Sequence, residues 1–225
     1  MPYRHIIWDW NGTLLDDAWL CVECMNQLLN RRQMPLLTLE KYARVFDFPV
    51  RDYYERLGFD FAVEPFEDSG LEFIREYHAR LYKAGLRKNA AKVLSQIQEM
   101  GVKQSVLSAQ EQDSLRSLIR HHGIDSYFEE IIGLNHHYAD GKLDNGRRWL
   151  ESTGVLPTDV LLVGDTIHDY EVACDLGFNC LLMTGGHQDP ARLNKTGIPL
   201  ITTLDSVRDV VEKSLSGQST DLNNK

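Results

Sequence analysis

The sequence predicts an α/β fold: an open parallel sheet with helices on its faces and a helical insertion after the first strand. From Leu86 onward, short apolar runs alternate with segments of helical periodicity, which is typical of parallel strands joined by right-handed crossovers. Between the first strand and Leu86, apolar residues recur only at helical spacing. We therefore expect an α/β core of residues 1–15 and 85–215, a helical insert of residues 16–84, and a disordered polar tail at 216–225.

Each element of the predicted core is a short apolar run or an amphipathic helix. Strands are expected at 3–9, 102–108, 130–134, 160–165, 179–183 and near 199–202. Helices are expected at 89–100, 111–122, 144–153, 168–176 and 205–215.

The insert is expected to begin with a helix that Asp16 or Asp17 caps and that runs to about Arg32. It is expected to end with a helix over 68–84. The stretch 38–59 between them is rich in aromatic residues and is expected to be helical, with an interruption at Pro49. Several of its side chains either line the inner face of the insert or form its core and rim: Tyr42, Arg44, Phe46, Phe48, Arg51 and Tyr53.

Composition excludes some classes of partner. The 225 residues include 33 acidic and 24 basic side chains, a net charge of −9, which argues against nucleic acid or an anionic membrane as a partner. No apolar run approaches the ~20 residues that span a bilayer, and the first residues form a strand pattern rather than a signal peptide. A cytoplasmic location is therefore expected. The sequence does not indicate an oligomeric state.

Cysteine and histidine pairs do not predict a metal site. Cys21 and Cys24 form a single C-x-x-C among apolar residues at helical spacing, so we interpret them as small side chains on one helix face. A zinc or redox site would need a second pair or a strand–turn–helix context. The pairs His121-His122 and His136-His137 lack the spacing of metal ligands and are expected in loops or on the surface.

Polar side chains stand where the predicted strands end. Asp9 follows the first strand, Ser108 ends the second, Lys142 lies in the loop after the third, and Asp165 and Asp169 follow the fourth. The carboxyl ends of parallel strands meet at one edge of the sheet, where ligands of such folds bind. Three carboxylates there would repel each other unless a cation bound them, and hard oxygen ligands favour Mg²⁺. A hydroxyl and an ammonium group suit phosphate oxygens.

The order of these motifs resembles the haloacid dehalogenase (HAD) superfamily of phosphohydrolases. The resemblance is carried by Asp9-Trp10-Asn11-Gly12-Thr13, by Leu107-Ser108, by Lys142 about 34 residues later, and by Gly164-Asp165 with Asp169. It implies a Rossmann-like, HAD-like core with an inserted α-helical cap. The length and place of the insert are similar to the cap of the phosphoglycolate phosphatase-like branch. The implied activity is Mg²⁺-dependent hydrolysis of a small phosphorylated metabolite.

The resemblance also implies a role for each motif residue. Asp9 would be the nucleophile that forms an aspartyl-phosphate. The Mg²⁺ ligands would be Asp9, the main-chain carbonyl of Asn11, and Asp165, with Asp169 binding the metal directly or through a water. Ser108, the backbone N–H of Ala109 and Lys142 would hold the phosphoryl group, with Gly12 and Thr13 in the same substrate-binding turn. The cap would close over the site and exclude water.

Residue 11 departs from the family's pattern. The family's phosphatases usually carry Asp two residues after the nucleophile, where it protonates the leaving alkoxide and then deprotonates the attacking water. Asn11 cannot exchange a proton at neutral pH, and such help is worth about 10²–10⁴-fold in rate. Asn11 fits an enzyme whose leaving group needs little protonation or that recruits another acid, a low-activity sensor, or an engineered trap. Replacing Asn11 by Asp is expected to restore alkyl phosphate hydrolysis.

Two other classes of function stay open. One is a different reaction on the same scaffold, either carbon–phosphorus cleavage, which would need Lys41 or Lys83 as a Schiff-base lysine, or phosphotransfer. The other is a weakly catalytic, phosphoryl-binding regulatory protein, which Asn11 favours and the intact motif residues oppose. A true dehalogenase is least compatible, because it would not require both Asp165 and Asp169.

Overall fold

A six-stranded parallel sheet organises the fold, and every residue of its central strand β1 (His5–Trp8) is buried. The structure is a computed structural model that describes residues 2–135 and 141–217. The remaining strands are β2 (Leu15–Asp16), β3 (Gly85–Leu86), β4 (Lys103–Glu111), β5 (Glu130–Leu134), β6 (Val160–Gly164), β7 (Asn179–Met183) and β8 (Leu200–Ile201). The sheet has the order β5–β4–β1–β6–β7–β8, and each neighbouring pair is parallel. The predicted α/β class and the expected strands of the sheet are confirmed.

Helices connect the strands and cover both faces of the sheet. They are α1 (Ala18–Arg31), α2 (Leu39–Val45), α3 (Val50–Leu57), α4 (Phe66–His78), α5 (Ala90–Glu99), α6 (Gln112–His121), α7 (Lys142–Thr153), α8 (Ile167–Leu176), α9 (Pro190–Leu193) and α10 (Asp205–Leu215). Over the residues described, none of the helices has both the length and the apolar character needed to cross a membrane.

The side chains of β1 alternate between two hydrophobic clusters. Ile6 and Trp8 belong to the cluster that contains buried residues of α5, α6 and α10, whereas Ile7 belongs to the cluster that contains Trp149 of α7 and Val172 of α8. Because both faces are covered, the strand carries three consecutive apolar residues, Ile6 to Trp8, rather than an alternation of apolar and polar ones. The two layers of helices enclose β1, and the turn that follows it carries the site described below.

Residues 16–84 contain α1 to α4, and this helical insert has a hydrophobic cluster of its own. That cluster includes Met25 and Leu28 of α1 together with Tyr42 of α2 and Tyr53 of α3. The short antiparallel ladder between β2 and β3 joins the points where the chain leaves the core and returns to it. The division into a core of residues 1–15 and 85–215 and a cap of residues 16–84 stays a prediction.

The last helix of the insert is shorter than the predicted 68–84, and this part of the prediction is wrong. The helix ends at His78, and the ladder of β2 with β3 at the two ends of the insert is not predicted by the sequence pattern. A turn of 3-10 helix at Leu81–Lys83 follows the helix. A helix continued through 84 would carry the chain away from β2, whose partner begins at Gly85.

Two of the expected site residues lie in different elements from those predicted. Lys142 is the first residue of α7 rather than part of a loop, because Gly141, with a φ of +94°, forms the turn that starts the helix. Ser108 does not end its strand, since β4 continues to Glu111 with a register shift against β5. The pair His136-His137 and tail residues 218–225 lie outside the described residues.

Candidate active site

Lys142 joins two carboxylates at the carboxyl end of the sheet. Its Nζ donates to Asp9 Oδ1 at 2.6 Å and to Asp169 Oδ1 at 2.5 Å, and all three side chains are buried. Asp9 continues the ladder of β1 through a hydrogen bond from its backbone N to Val163 O at 2.8 Å. Asp169 lies in the first turn of α8, which follows the neighbouring strand β6. The parallel register therefore brings these distant residues to one edge.

Asp165 completes the acidic group and is enclosed by backbone. Its Oδ1 accepts a hydrogen bond from Thr13 Oγ1 at 3.0 Å, and its Oδ2 accepts one from the His187 backbone N at 2.6 Å. A Cβ added at Gly12 would lie 2.3 Å from Asp165 Oδ2, and one at Gly186 would lie 2.1 Å from it. Gly12 also has a φ of +75°. The glycine of the Asn-Gly-Thr turn is thus required by both conformation and space.

Asp169 also holds the loop between β6 and α8. Its Oδ2 accepts hydrogen bonds from Thr166 N at 3.0 Å, Thr166 Oγ1 at 2.7 Å and Asp165 N at 3.2 Å. Together with the Thr166 hydroxyl that faces Asp169 N, these contacts form a capping box at the start of α8. One carboxylate therefore fixes the backbone of Asp165 and the ammonium group of Lys142.

Burial dominates the electrostatics of this group. Burial raises the pKa of Asp9 to about 8. The Lys142 charge opposes this rise, but burial together with repulsion from Asp169 and Asp165 outweighs it. Burial also raises the pKa of Asp165. At Asp169 burial acts in the same direction, but the adjacent Lys142 ammonium prevails and lowers its pKa. Although burial disfavours its charge, Lys142 has a raised pKa because of these carboxylates. One ammonium group therefore contacts two of the three carboxyl groups.

The donor set fits a Mg²⁺ ion. Carboxylate oxygens of Asp9, Asp165 and Asp169 lie within 4.8 Å of one another. Carboxylates are hard oxygen ligands of the kind that Mg²⁺ prefers, and a divalent cation would offset the excess negative charge. The expected main-chain ligand, the carbonyl of Asn11, belongs to the turn directly after Asp9. Mg²⁺ binding at these residues stays a prediction.

The residues expected to hold a phosphoryl group divide into two sets. Ser108 and Ala109 line the cavity above Asp9. Ser108 Oγ accepts a hydrogen bond from Gln110 N at 3.1 Å, and its O–H can donate to a phosphoryl oxygen. Gly12 N instead donates to a carboxylate within the protein, and the Thr13 hydroxyl donates to Asp165. Substrate contacts by Gly12 and Thr13 stay a prediction.

Asn11 is held by a fourth buried carboxylate, Asp17, which the sequence pattern indicates only as a helix cap. Its Nδ2 donates to Asp17 Oδ2 at 2.8 Å and to the Tyr77 hydroxyl at 2.9 Å. The Tyr77 hydroxyl donates to the same Asp17 oxygen at 2.8 Å. Because a carboxylate oxygen only accepts hydrogen bonds, Asp17 orients the Asn11 amide with its nitrogen toward Asp17. Asp17 makes no side-chain cap to α1.

His187 completes this network from the loop after β7. Its Nε2 lies 3.2 Å from Asp17 Oδ1, and its Nδ1 lies 2.7 Å from the Tyr42 hydroxyl. Burial would lower the pKa of His187, but Asp17 prevails and raises it to about 9. The reverse holds at Asp17, whose pKa is lowered by His187 against the effect of burial. The Gly-Gly-His sequence after a strand was a signal that could have identified His187.

A cavity of about 200 Å³ opens above Asp9, between the sheet edge and the insert. The sequence left open whether the aromatic residues of 38–59 line a cavity or form the core of the insert. Tyr42, Phe46 and Tyr53 do both, and Phe48 lines the cavity. Arg44 and Arg51 do not line it, and Lys41 and Lys83 are exposed elsewhere. From the insert, the lining includes Asp17, Cys21, Met25, Tyr42, Phe46, Phe48, Val50, Tyr53, Tyr54, Phe73, Ile74, Tyr77 and His78.

The fold and this arrangement of acidic residues define a haloacid dehalogenase-like hydrolase, and the chain belongs to that family. The family model matches residues 6–183, from the first strand through β7. The resemblance found in the sequence motifs is thereby confirmed.

Relatives and solved structures extend the comparison. The tyrosine-protein kinase PtkA of Mycobacterium tuberculosis is 25% identical over 211 residues, which cover 92% of this chain and 72% of PtkA. The PtkA structure has a TM-score of 0.78 at 24% identity, covering 93% of this chain and 98% of that one. A predicted phosphatase from Clostridium acetobutylicum has a TM-score of 0.79 at 19% identity, covering 95% and 100%. A predicted phosphoglycolate phosphatase from Haemophilus somnus has a TM-score of 0.73 at 17% identity, covering 92% and 97%. The chain therefore has the fold of the family's phosphatases.

Proposed function

We propose that this protein is a Mg²⁺-dependent phosphatase that hydrolyses a small phosphorylated compound through an aspartyl-phosphate on Asp9. The observation that supports this most directly is the buried Asp9 carboxylate, which contacts Lys142 and faces the cavity beside Asp165 and Asp169. A single carboxylate with an ammonium partner, set beside two further carboxylates at the floor of a cavity, suits phosphoryl transfer better than acyl or hydride transfer.

In the first step, the Asp9 carboxylate attacks phosphorus, and the bond from phosphorus to the leaving oxygen breaks. Lys142 Nζ, at 2.6 Å from Asp9, favours the ionised form of the carboxyl group and stabilises charge on the transferred group. Ser108 O–H and the backbone N–H of Ala109 donate to phosphoryl oxygens. Bound Mg²⁺ would be held by Asp9, Asp165, Asp169 and the Asn11 carbonyl, and would supply positive charge at those oxygens.

In the second step, water attacks phosphorus of the aspartyl-phosphate and the bond to Asp9 breaks. Inorganic phosphate leaves and the carboxylate is restored. Asn11 directs its amide nitrogen to Asp17 and Tyr77, so it offers no proton to the leaving group and accepts none from water. The first step is therefore slow when the leaving group is strongly basic. The second step is slow because the attacking water is not deprotonated by residue 11.

The proposed function is tested by measuring phosphate release from a panel of phosphorylated metabolites with Mg²⁺. We expect release from part of the panel and none when Mg²⁺ is chelated. Equal release with and without a chelator would contradict the metal-dependent mechanism, and no release from any member would contradict the phosphatase assignment.

Mg²⁺ is expected to stabilise the folded protein. Ligand at 100 times its Kd adds about 2.7 kcal/mol to the free energy of unfolding.

Without added cation, the raised pKa of Asp9 means that protonated Asp9 favours folding at low pH, and this contribution is lost as the pH rises through about 8. Mg²⁺ must displace that proton, so its affinity is expected to weaken as the pH falls below about 8. Thermal unfolding across Mg²⁺ concentration and pH measures both effects.

Two variants control this experiment. Asp165→Asn is expected to remove the Mg²⁺-dependent rise in Tm, whereas Asp175→Asn, an equivalent change at an exposed position of α8, is expected to keep it. A parent protein whose Tm does not respond to Mg²⁺, or a response that both variants retain, would rule out a metal site at these carboxylates.

Phosphotransfer is a second candidate, supported by the kinase name of the relative PtkA and by Asn11. Without a base for water, an aspartyl-phosphate lives longer and can pass its phosphoryl group to another hydroxyl. Labelled phosphoryl donor with increasing concentrations of a tyrosine-containing acceptor distinguishes the two. Label in inorganic phosphate at every acceptor concentration supports the phosphatase, and label that moves to the acceptor supports phosphotransfer. Carbon–phosphorus cleavage is less suited, since Lys41 and Lys83 are exposed and do not line the cavity.

A further inference from the structure

We propose that the substrate of this site is an aryl phosphate, a monoester whose leaving group is an uncharged aromatic alcohol. The proposal rests on the proposed function and names its substrate class. Three observations carry it: the aromatic wall that the insert presents to the cavity, the absence of lysine or arginine among the described lining residues of the insert, and the amide at residue 11.

The wall of the cavity opposite Asp9 is built from rings. Phe46 lies at the centre, with ring centroids 5.1 Å from Tyr42, 5.3 Å from Tyr53 and 5.5 Å from Phe48. Phe48 in turn lies 4.8 Å from the ring of His168 on the core side. Aromatic rings attract another ring in edge-to-face or offset geometry. With about 200 Å³ of space, the cavity suits a small ring held above the phosphoryl site.

Arg44 and Arg51, the arginines that flank the aromatic residues in the sequence, do not line this wall. Arg44 contacts Glu40 at 2.6 Å, and Arg51 lies 3.5 Å from Glu55 with its guanidinium over the Phe61 ring. Among the described residues of the insert that line the cavity, His78 is the only one with a basic side chain. A leaving group with a carboxylate, such as glycolate, would lose its hydration against this wall without gaining an arginine or lysine partner from the insert.

The wall does offer a neutral polar atom. Tyr53 is almost fully buried, and its hydroxyl has no hydrogen-bond partner among the described residues. Burial also raises the pKa of Tyr53 well above its usual value, so the hydroxyl stays neutral. Buried polar atoms usually have a partner. Tyr53 lines the cavity, and its neutral hydroxyl adds no positive charge to the wall. This favours an uncharged aromatic body over an anionic one.

The amide at residue 11 points to the same class through chemistry. When Asp9 attacks, the electron pair of the broken P–O bond stays on the leaving oxygen. A phenol has a pKa of about 10, so phenolate leaves readily and takes its proton from solvent, whereas an alkoxide needs an acid that Asn11 cannot provide. Water then attacks the aspartyl-phosphate, giving phosphate and restoring Asp9. The sum is aryl phosphate plus water to phenol plus inorganic phosphate.

Three monoesters distinguish the effect of the leaving group's shape from that of its basicity. Phenyl phosphate and cyclohexyl phosphate have rings of similar size but different basicity, and 2-phosphoglycolate has a carboxylate instead of a ring. We expect kcat/KM for phenyl phosphate to exceed that for 2-phosphoglycolate by at least about 100-fold. Cyclohexyl phosphate also fits the wall but leaves as an alkoxide, so its kcat/KM is expected to be much lower than that of phenyl phosphate, because kcat/KM includes the step in which the leaving group departs. A higher kcat/KM for 2-phosphoglycolate than for phenyl phosphate would overturn the proposal and leave the phosphatase function standing. No release from these three monoesters, together with release from another member of the metabolite panel, would also overturn the proposal, whereas no release from any member of that panel would overturn the proposed function itself.

Variants of the wall test the binding directly. Phe46→Ala and Phe48→Ala are expected to raise KM for phenyl phosphate about tenfold or more, with little change in inhibition by inorganic phosphate. Phe61→Ala is the matched control, because Phe61 is also a half-buried aromatic residue of the insert but does not line the cavity. Equal KM in all three variants and the parent would overturn the proposal. Tm values of each variant confirm folding.

A phosphotyrosine peptide distinguishes the source of the aryl group. Turnover of phenyl phosphate without turnover of the peptide supports a free small molecule, and turnover of both supports a protein side chain as the source. Turnover of the peptide alone would overturn the small cavity as the binding site, since the ring that both probes share would not be sufficient for recognition.

Discussion

Replacing Asp9 by Asn is expected to abolish phosphate release while leaving the protein folded. The amide cannot form the aspartyl-phosphate, and loss of a nucleophile typically costs on the order of 10⁴–10⁶ in kcat. Folding is expected to survive, because an amide has the same shape and removes one of three mutually repelling buried carboxyl groups. Steady-state assays with Mg²⁺ and thermal unfolding measure the two effects.

Asp16→Asn provides a matched control. Asp16 lies seven residues further along the chain, and its side chain is exposed, so activity is expected to remain at the parent level. Beryllium fluoride, which mimics a phosphoryl group on a carboxylate, is expected to raise the Tm of the parent and of Asp16→Asn but not of Asp9→Asn. Activity of Asp9→Asn equal to that of the parent would exclude a covalent mechanism on Asp9.

Exchanging the acid and the amide between residues 11 and 17 is expected to speed the hydrolysis of alkyl phosphates. The doubly substituted protein, Asn11→Asp with Asp17→Asn, keeps a donor facing an acceptor across the 2.8 Å contact but places a carboxyl group beside the nucleophile. A general acid–base at this position is worth about 10²–10⁴-fold in rate. The gain is expected to be largest for cyclohexyl phosphate, whose leaving alkoxide requires a proton.

The single change Asn11→Asp is expected to give a smaller gain. It places the new carboxyl group of residue 11 within 2.8 Å of the Asp17 carboxyl group, and two carboxyl groups at this distance share one proton. That proton is then less available to the leaving group. Asp17→Asn alone supplies no acid at residue 11 and is the control for loss of the His187 contact. A full gain from the single change would show that Asp17 does not restrain residue 11. No gain from either protein would show that residue 11 is not the missing acid–base.

Much of the site follows from local sequence. Asp9, Asp165 and Asp169 each come after a buried apolar strand, and parallel strands place such residues at one edge whatever the details of the loops. Lys142 was also identified, although its position at the start of α7 depends on Gly141 and was not predicted. Both cysteines of the C-x-x-C motif lie in α1 and contact one hydrophobic cluster, as their helical spacing indicates, and Cys21 also lies beside Asp17.

The sequence by itself determined the α/β class, the strands of the parallel sheet and the acidic edge, because each depends on periodicity within a few residues or on the order of strands and turns. Only the tertiary structure decided that Asp17 pairs with His187, 170 residues away, and that this pair orients Asn11. The same holds for the aromatic wall around Phe46, to which α2, α3 and the loop between them all contribute. Such contacts depend on how helices and loops pack around one cavity, and that arrangement leaves no periodic signal in the chain.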